Sequence, residues 1–227
     1  MKVAVLQFPG SNCDQDAVKS LRDDIGVSAE YVWHDEPSLA GFDAVFVPGG
    51  FTYGDYLRCG AIASQSPIMR ETKKFASEGR PVIGVCNGFQ ILAESGLLPG
   101  ALTRNINQKF ICKDLYLRAE TRRSIWTNGV DQVLRLPIAH GEGRYIIDED
   151  GLKSLEDNEQ IAFRYVNANG EIEDSANPNG SVSNIAGVIN KAGNVLGMMP
   201  HPERATKELL GGVDGLSILR AFSLVKA

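Results

Sequence analysis

Residues 84–88 read Gly-Val-Cys-Asn-Gly. A thiol bracketed by glycines, directly after the strand-forming run 81–85 and directly before a helical stretch, is the G-x-C-x-G form of a nucleophile elbow. Such a turn holds its nucleophile in a strained backbone conformation, and only small flanking residues leave room for it. It also sets the sulfur at a helix N-terminus, whose partial positive charge favours the reactive thiolate. The N–H of Asn87 would point where an oxyanion forms on an attacked carbonyl. Taken alone, the pentapeptide is equally compatible with Cys86 as a small buried hydrophobe, which is what most free cysteines are.

A thiol nucleophile needs a base, and the chain holds His34, His140 and His201. His201 lies in "MPHPERA" (199–205). Pro202 pushes it toward an extended conformation, where residues i and i+2 project to the same side. Glu203 can therefore hold the imidazole, completing a nucleophile–base–orienter set. His140, in "AHGEGR" (139–144), forms an H-x-E, but the P-C-x-x-C that a zinc deaminase also requires is absent. It reads instead as part of a glycine-flexed loop that contacts substrate, and His34 as structural. A second oxyanion donor is expected from Gly50 in Pro-Gly-Gly (48–50), whose N–H can approach closely because no Cβ intervenes. Cys13, Cys59 and Cys112 lack such a setting and are taken as packing residues; their spacing suggests no metal site.

These groups have to be brought together by the fold. The first hundred residues alternate strand-like runs (2–8, 28–34, 42–48, 81–85) with helical ones: 11–25 ending at Gly26, about 57–78 interrupted near Pro67 and ended by Gly79, and 87–98. The short apolar strands fit a parallel sheet covered on both faces. The second half adds strand-like segments at 110–118, 133–139, 161–166, 182–190 and 194–199, read as hairpins added to the same domain. Helices are expected from near Glu203 and from about Gly215. The expected architecture is α/β, a flavodoxin-like three-layer sandwich with a mostly parallel central sheet and added antiparallel hairpins, in a single domain spanning 1–227. Segments 8–10, 47–51 and 85–88 then share the carboxyl edge of the sheet, where open α/β proteins bind ligands. The turn-rich stretch 167–181 is long enough to be mobile or partner-facing.

Composition narrows the function classes. With 227 residues, 43% of them hydrophobic, the chain can bury a substantial core without disulfides, so its four cysteines suit a reducing, cytoplasmic setting. A net charge of −5 argues against a nucleic-acid surface. No apolar run approaches the ~18 residues that span a bilayer, so no membrane partner is expected.

"PGSNCD", "PGGFTYGDYLRCGAIA", "GVCNGFQIL", "AHGEG", "NPNGS" and "GNVLGMMPHPERA", in this order, resemble class I glutamine amidotransferases with their Cys-His-Glu triad. Within that family they are most similar to the small glutaminase subunits serving phosphoribosylformylglycinamidine synthase, the fourth-step enzyme of purine biosynthesis. The similarity runs from residue 1 to about 220. It implies that Cys86 attacks the side-chain amide of glutamine, releases ammonia and leaves a γ-glutamyl thioester that water cleaves to glutamate. His201 would serve as acid and base, Glu203 would orient it, and Gly50 and Asn87 match the family's oxyanion donors. Gln90 matches the glutamine-positioning residue, and Gly49, His140, Gly141 and Glu142 fall where the family contacts its substrate. The resemblance further implies an ATP-dependent large synthetase subunit, which carries the ATP and Mg²⁺, and a small accessory subunit. This chain shows no G-x-x-x-x-G-K-[ST] and no cofactor motif of its own.

Two rivals stand beside this reading. A γ-glutamyl hydrolase, or a DJ-1/PfpI-like thiol hydrolase, would share the fold, although the latter places His after the nucleophile where Asn87 stands here. A binding module that lost catalysis would not need all three triad residues.

Overall fold

The computed structural model describes residues 1–224. Five strands form the parallel half of one nine-stranded sheet: β1 (Lys2–Gln7), β2 (Ser28–Trp33), β3 (Ala44–Val47), β4 (Val82–Val85) and, far along the chain, β11 (Val195–Met198). Their spatial order, β2-β1-β3-β4-β11, is the doubly wound order of flavodoxin-like folds. The four residues of β3 and of β4 are all buried, as strands covered on both faces must be. The sheet continues through β10 (Ile185–Ile189), β9 (Ile161–Val166), β6 (Ile111–Ala119) and β7 (Leu134–His140), all antiparallel to their neighbours. The predicted hairpins thus widen the main sheet, and the last of the predicted strands, 194–199, crosses back to pair in parallel with β4. A small second sheet pairs β5 (Ala101–Thr103) with β8 (Arg144–Ile146).

The helices follow local chemistry. Helix α1 (Asp14–Lys19) runs on through a π-helical turn, Ser20–Ile25, and stops at Gly26, whose φ of 77° only glycine adopts freely. Helix α2 (Pro67–Ser77) starts with Ser66 as N-cap and Pro67 in its first turn, where a missing N–H costs nothing. The predicted helix from Leu57 is therefore wrong in nearly its first half. Leu57 (φ 70°) and Gly60 (φ 81°) leave the helical region, and only Ala63–Gln65 make a single 3₁₀ turn. Helix α3 (Asn87–Glu94) follows the elbow, and Gly96 (φ 76°) ends it.

The helix expected from Glu203 is one 3₁₀ turn, Pro202–Arg204, because the extended His201 has its N–H drawn to Pro137 O (2.9 Å) on β7 and Ala205 leaves the helical region at φ −130° and ψ 57°. Past Gly215 the chain forms the short α5 (Leu216–Leu219) and α6 (Ala221–Leu224), while α4 (Glu149–Asp157), capped by Asp148, was not anticipated. Among the described residues no helix is long and apolar enough to cross a membrane.

Candidate active site

The carboxyl ends of β1, β3 and β4 converge, as the strand pattern requires. Cys86 follows β4 directly with φ 52° and ψ −108°, a conformation that costs a side-chain-bearing residue of order 1–3 kcal/mol. The surrounding bonds hold it there: its N–H donates to Met198 O on β11 (2.8 Å) and its carbonyl accepts from Gln90 N–H (3.2 Å). The flanking glycines are steric necessities. A Cβ on Gly88 would lie 1.9 Å from Val47 O, and one on Gly84 would lie 2.5 Å from Leu92 Cδ1. Gly88→Ala is therefore expected to push β3 from α3 and cost about 3 kcal/mol. Thermal unfolding should show this as a drop of roughly 5–10 °C; an unchanged midpoint would mean that the elbow is not tightly packed.

His201 and Glu203 project to the same side, as the His-Pro-Glu spacing predicts. Nδ1 of His201 lies 2.6 Å from Glu203 Oε1, and both residues are buried, at 1% and 2% exposure. Burial opposes a charge on the imidazole. The Glu203 carboxylate and then the Cys86 sulfur outweigh it, so His201 titrates well above the ordinary histidine range. Nε2, the other ring nitrogen, is buried with no hydrogen-bond partner among the described residues. One point locates the three groups. The position a Cβ on Gly49 would take lies 2.9 Å from His201 Cε1, 3.0 Å from Cys13 Sγ and 3.4 Å from Cys86 Cβ. Gly49 is thus a spacer between nucleophile and base, and it lines neither cavity described below.

Cys86 is 5% exposed but not walled off, since it stands between two cavities. The larger, about 390 Å³, is lined among others by Gln90, His140, Gly141 and Glu142, and its size suits a small-molecule ligand. The smaller, about 180 Å³, reaches His201, Cys13 and Arg204. Gly50, Phe51, Phe110 and Ala139 line both. Asn87 heads α3, where an N–H has no intrahelical partner. Around Gly50, Asn12 N–H bonds to Gly49 O and Phe51 N–H to Gly10 O; these bonds straddle Gly50 and leave its N–H outside the ladder. Gly50 lines both cavities beside the sulfur, and Asn87 follows Cys86 directly in the chain.

The larger cavity is braced by a polar chain. Asn87 Nδ2 donates to Gln90 Oε1 (2.8 Å), and Gln90 Nε2 donates to Glu142 O (2.5 Å). His140 is 3% exposed; its Nδ1 meets Asn105 Oδ1 at 3.1 Å and its Nε2 has no partner among the described residues. Burial, reinforced by the nearby His201 charge, lowers its pKa to about 4, so this imidazole stays neutral at physiological pH. The segment 177–181 is not free, contrary to expectation. Asn179 Nδ2 bonds to Gly143 O (2.8 Å) and Ser181 Oγ accepts from Tyr145 N–H (3.0 Å), tying it behind the His140 loop.

Sequence reasoning missed two thiols. Cys13 lies beside the base rather than in anonymous packing: its sulfur, a His201 nitrogen and a Glu203 oxygen fall within 4.8 Å of one another. The trio offers metal-type donors, but Arg204 Nη2 points at Cys13 Sγ from 3.2 Å, and Glu203 already occupies Nδ1. Both features oppose a cation there. Cys59 lines the larger cavity, while Cys112 is exposed. Nothing in the local sequence of Cys13 gave this away; only the fold brings the start of α1 beside "MPHPERA". His34 is a loop anchor, with Nδ1 3.1 Å from Tyr53 Oη.

Comparison with known proteins agrees with this geometry. Residues 1–211 match the family described as CobB/CobQ-like glutamine amidotransferase domain. A chain in the structure of PurLQS from Thermotoga maritima is 43% identical, with a TM-score of 0.86 over 99% of both chains. A protein from Thermoplasma acidophilum assigned as a GMP synthase component (18% identity, TM-score 0.60, 99% of this chain and 93% of that one) shares the fold. So does a glutamine amidotransferase from Thermotoga maritima (16% identity, TM-score 0.56, 91% of this chain and 77% of that one). The strand order, the elbow at Cys86 and the match along nearly the whole chain agree: this protein belongs to the CobB/CobQ-like glutamine amidotransferase family.

Proposed function

We propose that this chain is the glutaminase subunit of phosphoribosylformylglycinamidine synthase and makes ammonia for a synthetase partner in purine biosynthesis. The observation that carries the reading is the full-length likeness, at 43% identity, to a chain of PurLQS, joined to a strained thiol beside a buried His–Glu pair. The rival thiol hydrolases are not favoured by that likeness.

In this reading Cys86 Sγ attacks the amide carbon of glutamine as the thiolate, its proton already resting on His201 Nε2, where the Glu203 carboxylate supports the charge. The carbonyl electron pair moves onto oxygen, where the N–H groups of Gly50 and Asn87 receive it. Collapse of this intermediate breaks the C–N bond, and His201 returns its proton to the departing ammonia. A γ-glutamyl thioester on Cys86 remains. His201 then takes a proton from water, whose oxygen attacks the thioester; the sulfur leaves and glutamate is released. Glu203 holds the ring and supports its charge, and Gln90 and the 140–142 segment shape the cavity around the substrate.

ATP and Mg²⁺ belong, in this reading, to the synthetase partner. An accessory third subunit and a cytoplasmic location complete the proposal. A glutaminase running alone would waste glutamine, so the isolated chain should release ammonia slowly and speed up when the purified synthetase subunit is added. Ammonia release measured with and without that subunit tests this. Equal turnover in both would contradict the coupling.

A further inference from the structure

Beyond the triad, the larger cavity holds an arrangement that the reaction steps do not use. Asp55 lines it together with Cys86, Cys59 and Glu142. Among the described residues its buried Oδ1 has no hydrogen-bond partner and Asp55 forms no ion pair. His140, almost fully buried and lining the same space, likewise leaves Nε2 unpartnered. A carboxylate oxygen and an imidazole nitrogen kept dry and unpaired in one cavity await a polar ligand.

The loop that presents Asp55 is strained and pinned. Tyr53, Asp55 and Leu57 all have φ between 53° and 70°, where residues other than glycine are disfavoured. Thr52 N–H bonds to Asn87 Oδ1 (3.2 Å), the residue after the nucleophile, and Tyr53 N–H bonds to Pro9 O (2.7 Å) at the end of β1. The carboxylate is thus held in register with the elbow rather than waving in solvent. Burial, and then the facing Glu142 charge against a Cys59 contact that works the other way, raise the Asp55 pKa. Burial first, and these two carboxylates after it, also push the Cys59 thiol up, so both acids surround one neutral sulfur. Among the described residues the exposed Arg104, at 3.4 Å, is the one counter-ion of Glu142, an attachment worth little.

We infer that Asp55, together with Glu142, binds the α-ammonium group of the substrate and so makes a free α-amino group a condition for presenting an amide to Cys86. The inference rests on the glutaminase reading and adds its specificity determinant. The chemistry fits: an unpaired carboxylate beside one held only by an exposed guanidinium suits an ammonium, while Lys109 in the same lining can meet an α-carboxylate. A protonated Cys59 between the acids would be a poor ligand for a metal ion.

The test uses the full chain and two electrophiles, with Cys86 modification followed by intact mass. 6-Diazo-5-oxo-L-norleucine carries the α-ammonium; iodoacetamide does not. Asp55→Asn should slow the first reagent by roughly 10-fold or more, the loss expected for a charged hydrogen bond, and leave the second within about 2-fold. A second measurement needs no variant. L-Glutamine should protect Cys86 from iodoacetamide at roughly 10-fold lower concentration than glutaramate, which has the same amide and no α-amino group. Equal rates for wild type and Asp55→Asn with the diazoketone, a parallel loss with both reagents, or equal protection by the two amides would overturn the role of Asp55. If wild type is neither labelled by the diazoketone nor protected by L-glutamine, the glutaminase reading itself fails.

Discussion

Cys86→Ala should lower ammonia release from glutamine by roughly 10⁴-fold or more, because no other group can form the acyl intermediate and the triad acts as a unit. The fold should survive. Cys86 is a small side chain whose one hydrogen bond among the described residues is long, 3.8 Å from Sγ to Ala139 O, so alanine removes little of the packing around it. Thermal unfolding within a few degrees of wild type, alongside lost turnover, separates chemistry from collapse. Cys13→Ala is the informative companion. The Cys13 sulfur lies near the same imidazole, yet its residue is the N-cap of α1, with an unstrained φ of −94°, and Arg204 ties it down. Its loss should leave most of the turnover, and a Cys13→Ala variant as dead as Cys86→Ala would mean that the wrong sulfur has been assigned.

Glu203→Gln is expected to cost roughly 10³–10⁴-fold in kcat, the scale on which such orienting carboxylates act. The carboxylate does two things that an amide cannot. It fixes the proton on Nδ1 across 2.6 Å, leaving Nε2 toward the sulfur, and it supplies the charge that holds His201 protonated against the penalty of burial. The second effect has a sign that can be measured. His201 titrates above its ordinary value in the folded chain, so the protonated ring that delivers a proton to ammonia persists as pH rises and is lost only above that value. Without the carboxylate the alkaline limb of the kcat–pH profile should move to lower pH. By the same linkage, the stability contributed by the His–Glu pair is fully present below about pH 6.5 and is lost as pH rises through the folded value. Glu203→Gln should therefore destabilise the chain most at mildly acidic pH. An unmoved alkaline limb would show that Glu203 only fills space.

What was legible in the sequence follows from how local each signal is. The elbow is written in five consecutive residues, and the His-Pro-Glu geometry in three, so both triad partners could be paired before any fold was known. The parallel strands were legible because residues such as 44–47 and 82–85 are unbroken apolar runs. Helix α4 was not: Gly151 interrupts it, and its cap at Asp148 and the pair Leu152 and Leu155 are easily lost among acidic residues. The false helix from Leu57 had the opposite cause. Apolar spacing there looks helical, but Leu57 (φ 70°) and Gly60 (φ 81°) take left-handed conformations, and strain of that kind leaves no periodic trace. Cys13, Cys59 and Asp55 were passed over because their neighbourhood is made by crossovers between distant strands.

The central claim is that the Cys86 sulfur becomes acylated. The most direct measurement is rapid acid quenching of the chain, with its synthetase partner, during turnover of L-glutamine, followed by peptide mass mapping. The mechanism predicts one γ-glutamyl group on the peptide carrying Cys86, absent in Cys86→Ala. Ammonia released at full rate with no acyl group on Cys86, or with the group on Cys13, would contradict it.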